Sequence, residues 1–131
     1  MFPQIKKIKS RVFTSQEGEP VVQFYDSEQK SWDEEIVLDF NRSGMAIFTL
    51  DTDDNTDPYI FFGALQKTED GCNPDTNWDF MINGAGNIIC FNNDCQSAQD
   101  ISVRLTLIQR GDDELSNAII SADPIFKNRP T

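Results

Sequence analysis

A chain of 131 residues suits one domain and is too short for two of ordinary size; its 38% hydrophobic content, with ten Phe, excludes wholesale disorder. No apolar run approaches the ~20 residues of a membrane helix, and eleven basic against 22 acidic side chains leave a net charge of −11, which sets the surface against duplex nucleic acid. Histidine is absent, and with it the commonest general base, the Ser–His and Cys–His nucleophile pairs and His-ligated zinc.

The first eleven residues hold Lys6, Lys7, Lys9 and Arg11 and no acid, a charge of +4, while the other 120 hold seven basic and 22 acidic side chains, a charge of −15. The following Val12-Phe13-Thr14-Ser15-Gln16-Glu17 is too polar for the apolar part of a secretory signal, so the expected location is the cytoplasm. The segment reads as a Lys-studded edge strand, protected against pairing with another sheet. A basic arm for an acidic partner is the second reading. Val22 and Phe24 alternate with polar neighbours, and so do Ile36, Leu38 and Phe40, then Ala46, Phe48 and Leu50. Residues 26–35 have room for one short helical turn, and Trp32, set among Ser31, Asp33 and Glu34, is expected to be partly exposed. Asn41-Arg42-Ser43-Gly44 is a turn signal.

Asp51, Asp53, Asn55 and Asp57 alternate as oxygen ligands do at the opening of a calcium loop, where a curved backbone turns every second side chain toward one hard cation. Thr56 stands where an EF-hand needs glycine and Phe62 where it needs glutamate, so an EF-hand is excluded. What remains is a simpler surface calcium site on these four residues, or a solvated acidic loop of turn-forming residues.

Tyr59-Ile60-Phe61-Phe62-Gly63-Ala64-Leu65 is continuous enough to predict a central strand covered on both sides, with a bulge or a close backbone approach at Gly63. Trp78, Phe80 and Ile82 alternate, and Asn83-Gly84-Ala85-Gly86-Asn87 then predicts a hairpin into Ile88-Ile89-Cys90-Phe91. Cys72, Cys90 and Cys95 are an odd number and too few for a histidine-free zinc set. Cys90 reads as a small buried hydrophobe, and a Cys90–Cys95 bridge is open only in an oxidising compartment. Residues 92–100 have room for a second helical turn. Ile101, Val103, Leu105 and Leu107 face one way and Ser102, Arg104 and Thr106 the other. After a turn at Gly111-Asp112-Asp113-Glu114 comes a short run at Ala118–Ile120. Asp123-Pro124 reads as the end or kink of a last strand, with Asn128 and Pro130 off the sheet. If Ile125 and Phe126 are not packed on the body, they offer a sticky strand to another copy.

Phe61-Phe62-Gly63-Ala64, the hairpin through Asn87-Ile88-Ile89, the alternating strand 101–109 and the ending Ser121-Ala122-Asp123-Pro124-Ile125-Phe126-Lys127-Asn128-Arg129-Pro130 together resemble the DP-EP family of small bacterial proteins. Asp123-Pro124 and Asn128-Arg129-Pro130 carry the likeness most specifically, over roughly residues 58–130. Where a Glu-Pro might be looked for near the end stands Arg129-Pro130, and Glu19-Pro20 lies far upstream. The resemblance implies an immunoglobulin-like sandwich and supplies no activity, so no site residue follows from it.

The turn spacing itself predicts an all-β sandwich or barrel. With the resemblance, the expected fold is one immunoglobulin-like β-sandwich over residues 1–131, of about eight to nine antiparallel strands. Its expected role is non-catalytic: an interaction or self-assembly module for a protein partner or for itself, not for nucleic acid or membrane. The alternative is a calcium-dependent binding domain, with carbohydrate as a candidate ligand, using the loop 51–57; no other cofactor is expected. An enzyme built on the acids of Asp33-Glu34-Glu35 and Asp112-Asp113-Glu114 ranks third, because paired carboxylates need a fixed separation across a cleft that spacing in sequence does not supply.

Overall fold

The computed structural model describes residues 2–51, 58–68 and 80–131. Alternating apolar residues put one face of each strand inward, and two sheets close over those faces. The first sheet holds β1 (Gln4–Thr14), β2 (Pro20–Asp26), β3 (Ser31–Asp33), β5 (Gly44–Leu50), β7 (Met81–Ile82) and β8 (Ile88–Asn93), in the order β3-β2-β1-β5-β8-β7. The second holds β4 (Ile36–Phe40), β6 (Tyr59–Thr68), β9 (Gln99–Gln109), β10 (Ile119–Ile120) and β11 (Pro124–Asn128). Its order is β10-β9-β11-β4, with β6 on the other side of β9.

The sandwich is therefore as expected, but with eleven strands among the described residues and with sheets that are mixed: β1 runs parallel to β5 and β4 parallel to β11. Period-2 patterning reports which face a residue takes and not which neighbour its strand pairs with, so the expectation of antiparallel pairing throughout had no sequence signal behind it. The Lys-rich β1 stands between β2 and β5 in the sheet order but pairs with them in turn, with β2 along Ser10–Thr14 and with β5 along Gln4–Ser10. Among the described residues the Lys6–Lys9 half therefore has a partner strand on one side, as an edge strand does. The turn at Asn41 to Gly44 carries the chain from β4 in one sheet to β5 in the other instead of closing a hairpin. Residues 26–35 form the β2–β3 hairpin and 94–98 an extended loop, so neither expected helical turn is there; one 3-10 turn lies at Leu115–Asn117.

Five phenylalanines knit the layers. Phe24, Phe48 and Phe91 come from the six-stranded sheet and Phe40 and Phe126 from the other, all five buried. Phe91 meets Phe126 edge-on at 6.0 Å between ring centres, and Phe40 lies 5.7 Å from Phe126. Phe126 is thus inside, and Ile125–Lys127 pairs with β9 and β4, so the ending is no loose strand. Ile101, Val103, Leu105 and Leu107 are fully buried, as their alternation requires. The bulge in β6 falls between Phe61 and Gly63 as expected, but among the described residues β6 pairs with β9 alone and exposes Phe62 and Leu65.

Ser10 is one of the polar side chains that interrupt this core: its Oγ is fully buried on the inward face of β1 and has no hydrogen-bond partner among the described residues. A desolvated hydroxyl without a partner costs more than a methyl at the same place, so Ser10→Ala should raise the unfolding free energy by about 1 kcal/mol. An unchanged or lower urea midpoint would count against that reading.

Candidate functional site

The sequence candidates scatter. Asp51 is exposed just after β5 and its N–H donates to the Ser10 carbonyl at 2.8 Å. Its three companions Asp53, Asn55 and Asp57 lie outside the described residues, as do Cys72 and Trp78. The carboxylates considered for catalysis shape their own turns. Asp33 Oδ1 accepts the Glu35 N–H at 3.1 Å, and Asp112 accepts the Glu114 N–H at 2.9 Å and the Asn117 amide at 3.0 Å. Among the described residues no three His, Cys, Asp or Glu side chains gather as a metal set.

Cys90 does not take the buried place expected of it: it pairs with Ile47 across the strands on the outer, half-buried face, as a free thiol, whereas Cys95 is buried, its thiol 3.6 Å from the Phe40 carbonyl. Ile88-Ile89-Cys90-Phe91 is apolar on both faces, so its parity could not be read from sequence.

What the strands do bring together is the outer face of the six-stranded sheet. The outward row of β1 is Ile5, Lys7, Lys9, Arg11 and Phe13, all exposed except Arg11, which is half-buried. Register sets Met45, Ile47 and Thr49 of β5 beside Ile5, Lys7 and Lys9, and beyond them Cys90 and then Met81. On the other side Gln23 faces Arg11, and Tyr25 faces Trp32 of β3. Ile5 is 58% exposed and Met81 71%. None of the outward positions on these strands is an Asp or Glu, although the chain has 22 acids. Arg11 is held in place: its Nε and Nη2 donate to Gln23 Oε1 at 2.9 and 2.8 Å, and its guanidinium stands 4.3 Å from the Trp32 ring and 5.0 Å from that of Phe13. Trp32, half-buried as expected, is one wall of this clamp.

On the opposite sheet a cleft of about 380 Å³ is lined by Lys67, Thr68, Asp100, Ser102, Arg104 and Asp123. Its charges are largely satisfied from within. Asp123 accepts from Ser102 Oγ at 2.5 Å and Arg104 Nε at 3.1 Å, and Asp100 lies 2.9 Å from Arg129. These bonds repair a jog in the sheet. Between Ile120, opposite Thr106, and Ile125, opposite Ser102, the chain takes one extra residue. Ser121 spans the gap: its N–H donates to the Leu105 carbonyl at 2.8 Å while its Oγ accepts the Leu105 N–H at 2.8 Å. Pro124 follows, buried, as the first residue of β11. The Asp123-Pro124 kink is real, then, but it opens the last strand instead of closing it, and Asn128 ends that strand inside the sheet.

A family model, that of the DP-EP family, matches residues 6–130. The chain belongs to the DP-EP family. The match begins in β1, well before the residues that carried the resemblance. In this DP-EP chain two of the three acid–proline pairs, Glu19-Pro20 and Asp123-Pro124, have one structural job: Pro20 is the first residue of β2 as Pro124 is of β11. A strand's first position tolerates proline because its missing N–H leaves no ladder bond unmade. No curated protein matches the chain.

Ser121→Ala would strip the buried Leu105 N–H of its acceptor. We expect a loss of about 2 kcal/mol in urea unfolding, restored by Ser121→Thr, which keeps the oxygen. Equal loss in both variants would assign the effect to packing.

Proposed function

We propose that this DP-EP protein is a non-catalytic interaction or self-assembly module whose working surface is the outer face of the six-stranded sheet. The observation that carries this reading is the run of exposed or half-exposed apolar side chains there, from Met81 and Cys90 across to Ile47, then along β5 to Met45 and across to Ile5. Apolar surface gathered in one patch and rimmed by polar groups marks docking faces, whereas single exposed apolar residues do not. The residue types at its far edge, Arg11, Trp32 and Tyr25, are those that dominate binding energy at protein interfaces. The competing surface, the Asp123 cleft, spends Asp123 and Arg104 on each other beside the jog between β10 and β11, and Asp100 on Arg129.

The test uses Ile47→Lys with Met81→Lys, and Leu65→Lys on the outer face of the opposite sheet as control. The double variant should lose whatever the wild type retains from a lysate of its source, or lose concentration-dependent self-association in sedimentation; the control should lose neither. A wild type that is a strict monomer and retains nothing, or a double variant that behaves as wild type, overturns the reading.

A further inference from the structure

We infer that the outer row of β1 docks an extended segment of another protein in which three alternate acidic residues are flanked at both ends by an aliphatic one. This deepens the interaction reading and rests on it. The row Ile5, Lys7, Lys9, Arg11, Phe13 is apolar, cationic at three successive outward positions, then aromatic. Successive members stand about 7 Å apart, the distance between alternate residues of any extended chain. An extended segment laid along β1 therefore meets each member with one side chain, in either direction.

The charge argument is local. Three cations stand on a face with no acid at its outward strand positions. The nearest carboxylates, Asp26, Glu28 and Asp39, lie off that face, in the cleft of about 450 Å³ that Lys7 and Lys9 border at the open side of β1. The chain without the row sums to −14 (that is, −11 less the +3 of the row). Lys7 and Lys9 take part in neither ion pair found among the described residues, those of Arg104 with Asp123 and Arg129 with Asp100. Arg11 gives two of its five N–H groups to Gln23 and is fixed between Trp32 and Phe13, so its other donors are presented without further loss of side-chain freedom.

The same observations weigh against other occupants. A second copy placed face to face by a two-fold axis would set these cations against one another. A nucleic acid strand longer than the row would run onto a surface of opposite preference, and its phosphates have no use for Ile5 and Phe13. An anionic bilayer meets the same repulsion from the acidic remainder.

The experiment measures fluorescence anisotropy of the labelled nonapeptide Leu-Ser-Glu-Ser-Glu-Ser-Glu-Ser-Leu against the full chain. Binding should weaken as salt rises, and Lys7→Gln with Lys9→Gln should weaken it about tenfold, as two solvent-exposed charge pairs do. Lys67→Gln with Lys127→Gln, on the other sheet, should leave it unchanged, and a peptide with Lys for Glu should not bind. No binding at millimolar peptide, equal binding by the Lys7/Lys9 variant, or preference for a thymidine oligonucleotide or for phosphatidylserine vesicles overturns the inference. If the peptide fails while Ile47→Lys with Met81→Lys still abolishes partner retention, the face is an interaction surface for a partner of different chemistry.

Discussion

Replacing Asn93 by alanine should lower the unfolding free energy by about 4 kcal/mol, because three buried groups lose their partners at once. Asn93 and Asn128 are 1% and 0% exposed, at the ends of β8 and β11, and their side-chain amides bond reciprocally, each Nδ2 to the other's Oδ1 at 2.8 Å. Asn93 Oδ1 also accepts the Cys95 N–H at 3.2 Å, which holds the loop leaving β8 where Cys95 has a positive φ of 49°. The pair is a polar bolt between the two sheets inside a largely apolar core. Each orphaned donor or acceptor costs about 1–3 kcal/mol when water does not reach it. Asn128→Ala should cost about 3 kcal/mol, and the double variant little more than Asn93→Ala alone, since the partner left unmatched by one change is removed by the other. A single-variant loss below about 1 kcal/mol, or additive losses, would mean that water replaces the lost partner.

The second large effect is expected at Gly44, whose φ is ordinary and whose smallness alone matters. A Cβ there would fall onto the Gln4 carbonyl oxygen and reach within 3.0 Å of a Phe40 ring carbon. Gln4 and Gly44 are the opening pair of the parallel β1–β5 ladder, so the obstruction is backbone and has no flexible end to move aside. Gly44→Ala should cost about 3 kcal/mol and lower the melting temperature by about 10 °C. A melting temperature within a few degrees of wild type would show that β1 can lift away from β5 at this end.

How much of this was readable follows from what period-2 patterning encodes. Ile101 to Leu107, Val22 with Phe24, and Ala46 with Phe48 and Leu50 announce inward faces, and all are buried. The hairpin 83–87 is equally legible, since Asn83 and Gly86 do what such residues do in turns: Asn83 accepts the Ile88 N–H, and Gly86 takes a φ of 75°. Asn93 and Asn128 were not legible, because an asparagine beside a strand end looks like a loop former until its partner 35 residues away is known. The acid-free face was hidden for a related reason. Lys7, Lys9 and Arg11 are visible as a basic run, but that no acid stands beside them is a property of neighbouring strands, and strand order leaves no local trace.

The parallel partnership of β4 and β11 has a consequence for how the protein is made. Ile36 waits for Pro124, 88 positions later in the chain, so during synthesis β4 is finished long before the strand that covers it. Until that moment the ribosome holds a chain whose second layer has an open, apolar flank, and closing so long a loop is slow. Chains stalled before residue 124 should be recognised by holdase chaperones, while those that pass it should be released within the time of a single loop closure.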